Sequence, residues 1–312
     1  MTNLGRKLLS HLEERGTQGR IVAARRAHDL EQDIETLKQQ RLFDGAFVQE
    51  RLSELSFEPP DTLRDAQSLV VVAVPSPQVR VTFLWEGERR VLILPPTYAG
   101  YERIQREIES LVASFLEPAG FQVRRAGLPL KLLAVRSGLG EYGRNNICYV
   151  PGMGSFHELV ALYSELPAGE EDASSSWQGP RMMARCETCL ACQRSCPTGA
   201  IPTDRFLLRA ERCLTYHNEQ PAEVPFPEWI DPIWHNCMIG CMECQRICPE
   251  NKPYVGRLEG EVEFSEEETE LLLAGIPFGG WPSQTAEKWR RLELSESPDL
   301  QPRNLAVHLK RA

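Results

Sequence analysis

Eight of the ten cysteines in this chain fall into two matched runs. The first places Cys186, Cys189, Cys192 and Cys196 in a C-x2-C-x2-C-x3-C pattern that ends in Pro197. The second places Cys237, Cys241, Cys244 and Cys248 in the same pattern before Pro249, with one extra residue after its first cysteine. This is the ligand spacing of bacterial two-cluster ferredoxins, in which three cysteines of a run hold one [4Fe–4S] cluster and the fourth reaches the other. Two-residue gaps let a tight loop present soft thiolates to neighbouring irons, and the proline turns the chain away. Zinc needs four ligands in C-x2-C pairs separated by a longer arm. It requires neither the third cysteine nor the C-P ending, and here both occur twice. A disulfide framework suits short secreted chains, whereas this one has 312 residues and begins Met1-Thr-Asn-Leu-Gly5 without a targeting pattern.

The crossed pattern assigns Cys186, Cys189, Cys192 and Cys248 to one cluster, and Cys196, Cys241 and Cys244 to the other. On spacing the eighth ligand is open between Cys237, which heads the second run, and Cys213, which lies between the runs. Cys148 stands in the apolar stretch Ile147-Cys-Tyr-Val150 and reads as a small buried hydrophobe.

A chain of this length has room for one large and one small domain. No apolar run approaches the roughly 20 residues of a membrane helix, so no membrane role is expected, and reduced thiols point to the cytoplasm. The formal net charge of −9 argues against whole-surface attraction to nucleic acid. Scattered arginines such as Arg26, Arg89, Arg125, Arg136 and Arg144 read mainly as solvated faces or ion-pair partners.

Residues 3–55 read as helical, with Leu4, Leu8, Leu9 and Leu12 at a 3–4 residue period and a second helix over 21–37. Residues 68–74 form a β-branched run bounded by prolines, which predicts a buried strand. A hairpin is expected around Glu86-Gly87-Glu88, and an amphipathic helix over 101–116. A strand at 121–125, a short helix at 130–137 and strands at 147–150 and 156–166 follow, although the last also reads as a helix. These elements predict an α/β (α+β) domain over 1–170, an acidic, serine-rich linker over 171–180, a small ferredoxin-like double-cluster domain over 181–256, and a tail over 257–312 with helices at 266–274 and 301–310.

Ahead of the cysteines stands Arg136-Ser-Gly138-Leu-Gly140-Glu-Tyr-Gly143-Arg-Asn145-Asn146. Its glycines permit positive φ and close backbone approach to a ligand. They follow a helical stretch, which sets them apart from a dinucleotide fingerprint. Together with Gly154-Ser155, the cysteine runs and Glu211-Arg-Cys213-Leu-Thr-Tyr216, this signature resembles the epoxyqueuosine reductase family of iron–sulfur, cobalamin-dependent oxidoreductases, over roughly residues 65–255.

The resemblance implies an α/β domain similar to cobalamin-handling reductases and a cluster domain that relays electrons. It implies a bound cobalamin near Tyr98, Tyr101, Ser137, Gly138, Gly140, Gly143, Arg144 and Asn145, and Cys213 as the eighth ligand. It also implies a low-potential electron-donor protein and, as the family's substrate, the queuosine precursor in tRNA. One stretch departs from the family. The proton-donating acid, set there in an Asp-x-x-Pro pattern, is absent from residues 124–132, which read Arg-Arg-Ala-Gly-Leu-Pro-Leu-Lys-Leu. A carbon being reduced needs an acid within hydrogen-bond reach. Tyr98, Tyr101, Glu102, Glu141, Tyr142 and His157 are the alternatives, and otherwise the substrate differs, as in a divergent paralogue. The other reading is a non-catalytic electron carrier or a reductive activator of a partner's corrinoid.

Overall fold

The computed structural model describes residues 1–169, 177–294 and 301–309. Two compact units make up the chain. The first comprises Met1–Pro75, Glu102–Leu190 and Thr203–Leu208; the second comprises Ser76–Tyr101, Ala191–Pro202 and Arg209–Ala312.

The first unit begins with α1 (Asn3–Glu13), β1 (Gln18–Ala23), α2 (Arg26–Gln39), α3 (Gly45–Phe47) and β2 (Ser68–Pro75). The chain then passes into the second unit for β3 (Gln78–Trp85) and β4 (Glu88–Leu94). It resumes the first with α4 (Tyr101–Leu116), β5 (Val123–Arg125), α5 (Leu130–Arg136), β6 (Glu141–Tyr142), β7 (Cys148–Tyr149) and β8 (His157–Ser164). Four strands pair antiparallel in the order β1-β2-β8-β5. Both sheet faces are covered, which is why β2 and β8 read as nearly unbroken apolar runs. On one face Leu159, Ala161 and Tyr163 of β8 pack with Leu30 and Ile34 of α2 and Leu132 and Leu133 of α5. On the other, Val160 and Leu162 meet Leu8 and Leu12 of α1 and Ile104, Ile108, Val112 and Leu116 of α4. Those four α4 residues recur every fourth position, so they form one buried stripe. Each such side chain contributes about 1.5–3 kcal/mol by leaving water.

The second unit continues with α6 (Ala191–Ser195), α7 (Leu214–Asn218), α8 (Glu243–Arg246), β9 (Leu258–Phe264), α9 (Glu266–Leu273), α10 (Ser283–Leu292) and α11 (Gln301–Leu309). Its sheet has the order β4-β3-β9, antiparallel between β3 and β4 and parallel between β3 and β9. Glu86 and Gly87 both take positive φ, 52° and 75°, and close the β3–β4 hairpin with the twist its strands need. One sheet face buries Phe83 stacked on Phe264 at 5.3 Å, with Leu272, Trp289 and Leu305 of the three C-terminal helices.

Several expectations change here. Residues 21–23 are strand, not helix: α1 stops before Gly16 at φ 75°, and Ile21 and Val22 then pair with Val70 and Leu69. Pairing with a buried strand outweighs local helical patterning. Residues 76–101, read as part of a contiguous 1–170 domain, group with 209–312 because β3 hydrogen-bonds to β9. The segment read as a linker also differs at its described end. Trp177 packs against the first core beneath Arg26 and Arg136, at 5.2 and 5.7 Å from the guanidinium carbons, while residues 171–176 lie outside the described residues. Residues 157–164 take the strand alternative. The helix expected over 301–310 is present through Leu309, and Lys310 lies outside the described residues.

Candidate iron–sulfur site

Within the second unit, four of the expected ligands come from three short segments. Cys196 follows α6, Cys213 precedes α7, and Cys241 and Cys244 flank the start of α8. The Cys213 thiol is pushed up by burial and by its neighbour Cys196, against N–H donors from Thr215 and Tyr216. Cys241 is pushed up to about 11 by burial and also by Cys213, against the Asn236 side chain and the Glu243 N–H. Cys196 thus acts on Cys213, and Cys213 on Cys241. Amide N–H groups aimed at cysteine sulfurs suit thiolates that hold a cluster, because each donor stabilises negative charge on sulfur. No disulfide joins any of the ten cysteines. Among the described residues, no three His, Cys, Asp or Glu side chains converge as they would on a single metal ion.

Cys237 has different surroundings. It is fully buried, and its thiol donates to Asn236 Oδ1 at 3.1 Å. Its carbonyl meets His308 Nε2 at 2.9 Å. Burial pushes its thiol up to about 12. Tyr98, expected at a corrinoid, also lies in this region. Its buried phenol donates to Glu219 and is pushed well up by burial, then by Glu219, Cys213 and Cys237. Gly240 makes room for it: a Cβ there would stand 2.6 Å from Tyr98 Cε2. Of the remaining expected ligands, Cys192 is buried in α6 and Cys248 precedes a 3-10 turn at Pro249–Asn251. Tyr101 opens α4 and is 40% exposed.

Cys186 and Cys189 belong to the first unit, and the glycine signature is tied to this segment there. Arg144 donates through Nε and Nη2 to the Cys186 carbonyl at 3.1 and 2.6 Å. Asn146, at φ 56°, donates to the Phe206 carbonyl at 3.0 Å and accepts from the Leu208 N–H. The other polar side chains of the signature serve the loop itself. Ser137 Oγ donates to the Ala134 carbonyl at 3.0 Å, and Asn145 Nδ2 meets the Tyr149 hydroxyl at 3.1 Å. Gly140 is required by the β6–β7 hairpin, since a Cβ would lie 2.6 Å from the Tyr149 carbonyl oxygen and 2.7 Å from Cys148 Sγ. A Cβ at Gly143 would run into Asn145 and the Tyr149 ring. Ser137, Arg144 and Asn145 thus each have a hydrogen-bond partner within the first unit. Gly138, at φ 72°, offers main chain alone.

The absent acid has no replacement in residues 124–132. Arg125 is held by Glu109 at 2.9 Å and Glu102 at 3.0 Å, and Leu128 is core. Burial pushes Tyr142 up, and it lowers His157 to about 4, so His157 is neutral near pH 7. Glu158, beside it on β8, was not a candidate on sequence. Burial raises its carboxyl to about 8, against an N–H from Leu159 and a weak contact with Gln105. Sequence reasoning also missed Asn236, Glu219 and the grip of Arg144 and Asn146. The partners of Glu219, Arg144 and Asn146 lie 42 to 121 positions away and leave no local pattern, whereas those of Asn236 lie within its own loop.

Residues 185–251 match the 4Fe-4S double cluster binding domain family. The chain is 29% identical over 181 residues to the epoxyqueuosine reductase of Salmonella typhimurium, covering 54% of this chain and 44% of that one. It is 28% identical over 251 residues to the epoxyqueuosine reductase of Bacillus subtilis, covering 74% of this chain and 62% of that one. The chain is similar in sequence to the epoxyqueuosine reductases. It spans about half the length of the curated relatives it matches. The solved epoxyqueuosine reductase of Streptococcus thermophilus superposes with a TM-score of 0.67 at 17% identity, covering 99% of this chain and 81% of that one, a likeness of fold. Among the described residues no helix is long and apolar enough to cross a membrane.

Proposed function

We propose that this chain is an iron–sulfur oxidoreductase of the epoxyqueuosine reductase type. Cys186, Cys189, Cys192 and Cys248 hold one [4Fe–4S] cluster, and Cys196, Cys213, Cys241 and Cys244 hold the other. The observation that carries this reading is the second set. Cys196 acts on the Cys213 thiol and Cys213 on that of Cys241, while Cys237, on which Cys241 also acts, gives its thiol hydrogen to Asn236. When bound, the clusters would supply one-electron transfer between a low-potential donor protein and the substrate. The chain's own residues hold the thiolates, shield them from water and place N–H donors on them. A corrinoid, carried over from the resemblance, would supply two-electron chemistry at cobalt when bound, and main chain near Gly138 is its candidate contact. The substrate class carried over is the epoxyqueuosine of tRNA.

A second reading is favoured by residues 124–132, which lack the family's acid. On that reading the chain is an electron carrier or a reductive activator and performs no protonation. Anaerobic purification with iron, sulfide, zinc and cobalamin measured together tests the first proposal. About eight irons and eight sulfides per chain are expected from two cubes. Stoichiometric zinc in a colourless protein overturns it. Cobalamin binding together with conversion of epoxyqueuosine in tRNA supports the reductase. Two clusters with neither activity leave the carrier reading.

A further inference from the structure

The extra residue of the second cysteine run sits in a loop with an internal brace. Met238 and Ile239 are buried in the second unit's core, and Gly240 turns at φ 72°, so the chain doubles back and Asn236 meets Cys241 and Met242. The orientation of the Asn236 amide is set by its partners. The Met242 N–H donates to Oδ1 at 2.9 Å, and the Cys237 thiol donates to the same oxygen at 3.1 Å. An oxygen receiving two donors leaves Nδ2 as the donating end. That nitrogen faces the Trp234 carbonyl at 3.2 Å and Cys241 Sγ at 3.3 Å.

We infer that Asn236 is a positioning residue for the cluster bound through Cys241, and that Cys237 supports its amide without ligating iron. The inference rests on the double-cluster reading above. A donor on a ligand sulfur stabilises the more negative, reduced cluster and therefore raises its reduction potential. Cys237 keeps the amide aimed by occupying its oxygen, so the first cysteine of the second run serves as a hydrogen-bond donor.

The test uses the anaerobically purified full chain with the substitutions Asn236→Ala, Asn236→Asp, Cys237→Ala and Cys237→Ser. Iron and sulfide are counted, and both midpoint potentials are followed by electron paramagnetic resonance. All four variants are expected to keep the wild-type iron content. Asn236→Ala lowers the midpoint of one cluster and leaves the other in place. Asn236→Asp, near-isosteric but without the N–H and carrying charge, lowers it further, and it carries the test if the alanine variant does not fold. Cys237→Ser retains the wild-type midpoint, because a hydroxyl also donates to Oδ1. Loss of iron or a three-iron signal in Cys237→Ala makes Cys237 a ligand and overturns the inference, as do unshifted midpoints in both Asn236 variants. Wild-type protein without iron and sulfide overturns the double-cluster reading itself.

Discussion

Replacing Glu158 by glutamine should stabilise the protein in a pH-dependent way. Glu158 lies on β8 opposite Val74, 6% exposed, and the groups acting on its carboxyl are two neutral donors, the Leu159 N–H and Gln105 Nε2 at 3.5 Å. Burial dominates them and raises the carboxyl from 4.5 to about 8. An acid raised in the folded state costs nothing below pH 4.5, where both states are protonated. The penalty grows as pH rises through the window, because the unfolded chain ionises first, and it is complete above pH 8. At about 1.4 kcal/mol per pH unit, the penalty is under about 1 kcal/mol at pH 5, about 3 at pH 7 and on the order of 5 above pH 8.

Glutamine keeps the shape and an accepting oxygen but does not ionise. Urea unfolding of wild type and Glu158→Gln, under anaerobic conditions at pH 5, 7 and 8, isolates this group by difference. The neighbouring His157 is common to both proteins and cancels. Its own displacement, from 6.5 down to about 4, acts in the opposite sense and removes stability only as pH falls below 6.5. The expected result is a gap in favour of the variant that widens by about 2 kcal/mol or more between pH 5 and pH 7. A gap constant across that range refutes the claim that Glu158 is held protonated by burial.

Arg144→Met should remove the two donors on the Cys186 carbonyl, costing about 1.5–3 kcal/mol, and should speed iron loss to a chelator, read as the decay of visible absorbance. Gly240→Ala should destabilise the second unit by more than about 1–3 kcal/mol, because φ 72° and the 2.6 Å approach to Tyr98 act together; thermal unfolding followed by tryptophan fluorescence checks it. Arg303 donates to the carbonyls of His217, Asn218, Pro221 and Val224 and lies 4.2 Å from the Phe226 ring centroid. Arg303→Met should therefore cost about 2–3 kcal/mol and raise hydrogen exchange across residues 214–226.

Most regular elements were legible because each carried its own periodicity or boundary. Tyr101–Leu116 has a four-residue apolar repeat, Ser68–Pro75 is a β-branched run, and the β3–β4 hairpin has a glycine turn. Two of the longer strands were not legible. β1 is short and continuous with a helical pattern, and its strand character comes from pairing with β2. β9, Leu-Glu-Gly-Glu-Val-Glu-Phe, is mostly exposed and acidic; Val262 and Phe264 are its buried residues, and its parallel partner lies some 180 positions away. The same limit explains the division of the chain. A hairpin that joins a distant C-terminal strand does not announce the fact locally, so 76–101 read as part of its sequence neighbourhood.

At the site, the cysteine spacing was readable because cluster geometry constrains near neighbours in the chain. Part of what surrounds the thiols was not readable, because it comes from elsewhere in the chain. The glycine signature shows this best. Read alone it suggests a ligand loop, yet Gly140 and Gly143 are needed for the packing of a two-strand hairpin, and Arg144 and Asn146 hold the main chain at Cys186 and at Phe206–Leu208. A loop segment with few apolar side chains depends on such outside contacts, and on any metal it binds, for its order. The glycine signature and the Cys186–Cys189 segment, 40 positions apart in sequence, are therefore one mechanical element in the first unit. Substitutions at Arg144 or Asn146 should then change how firmly iron is held before they change any chemistry at a substrate, which is the opposite order from that expected of residues that touch a bound cofactor.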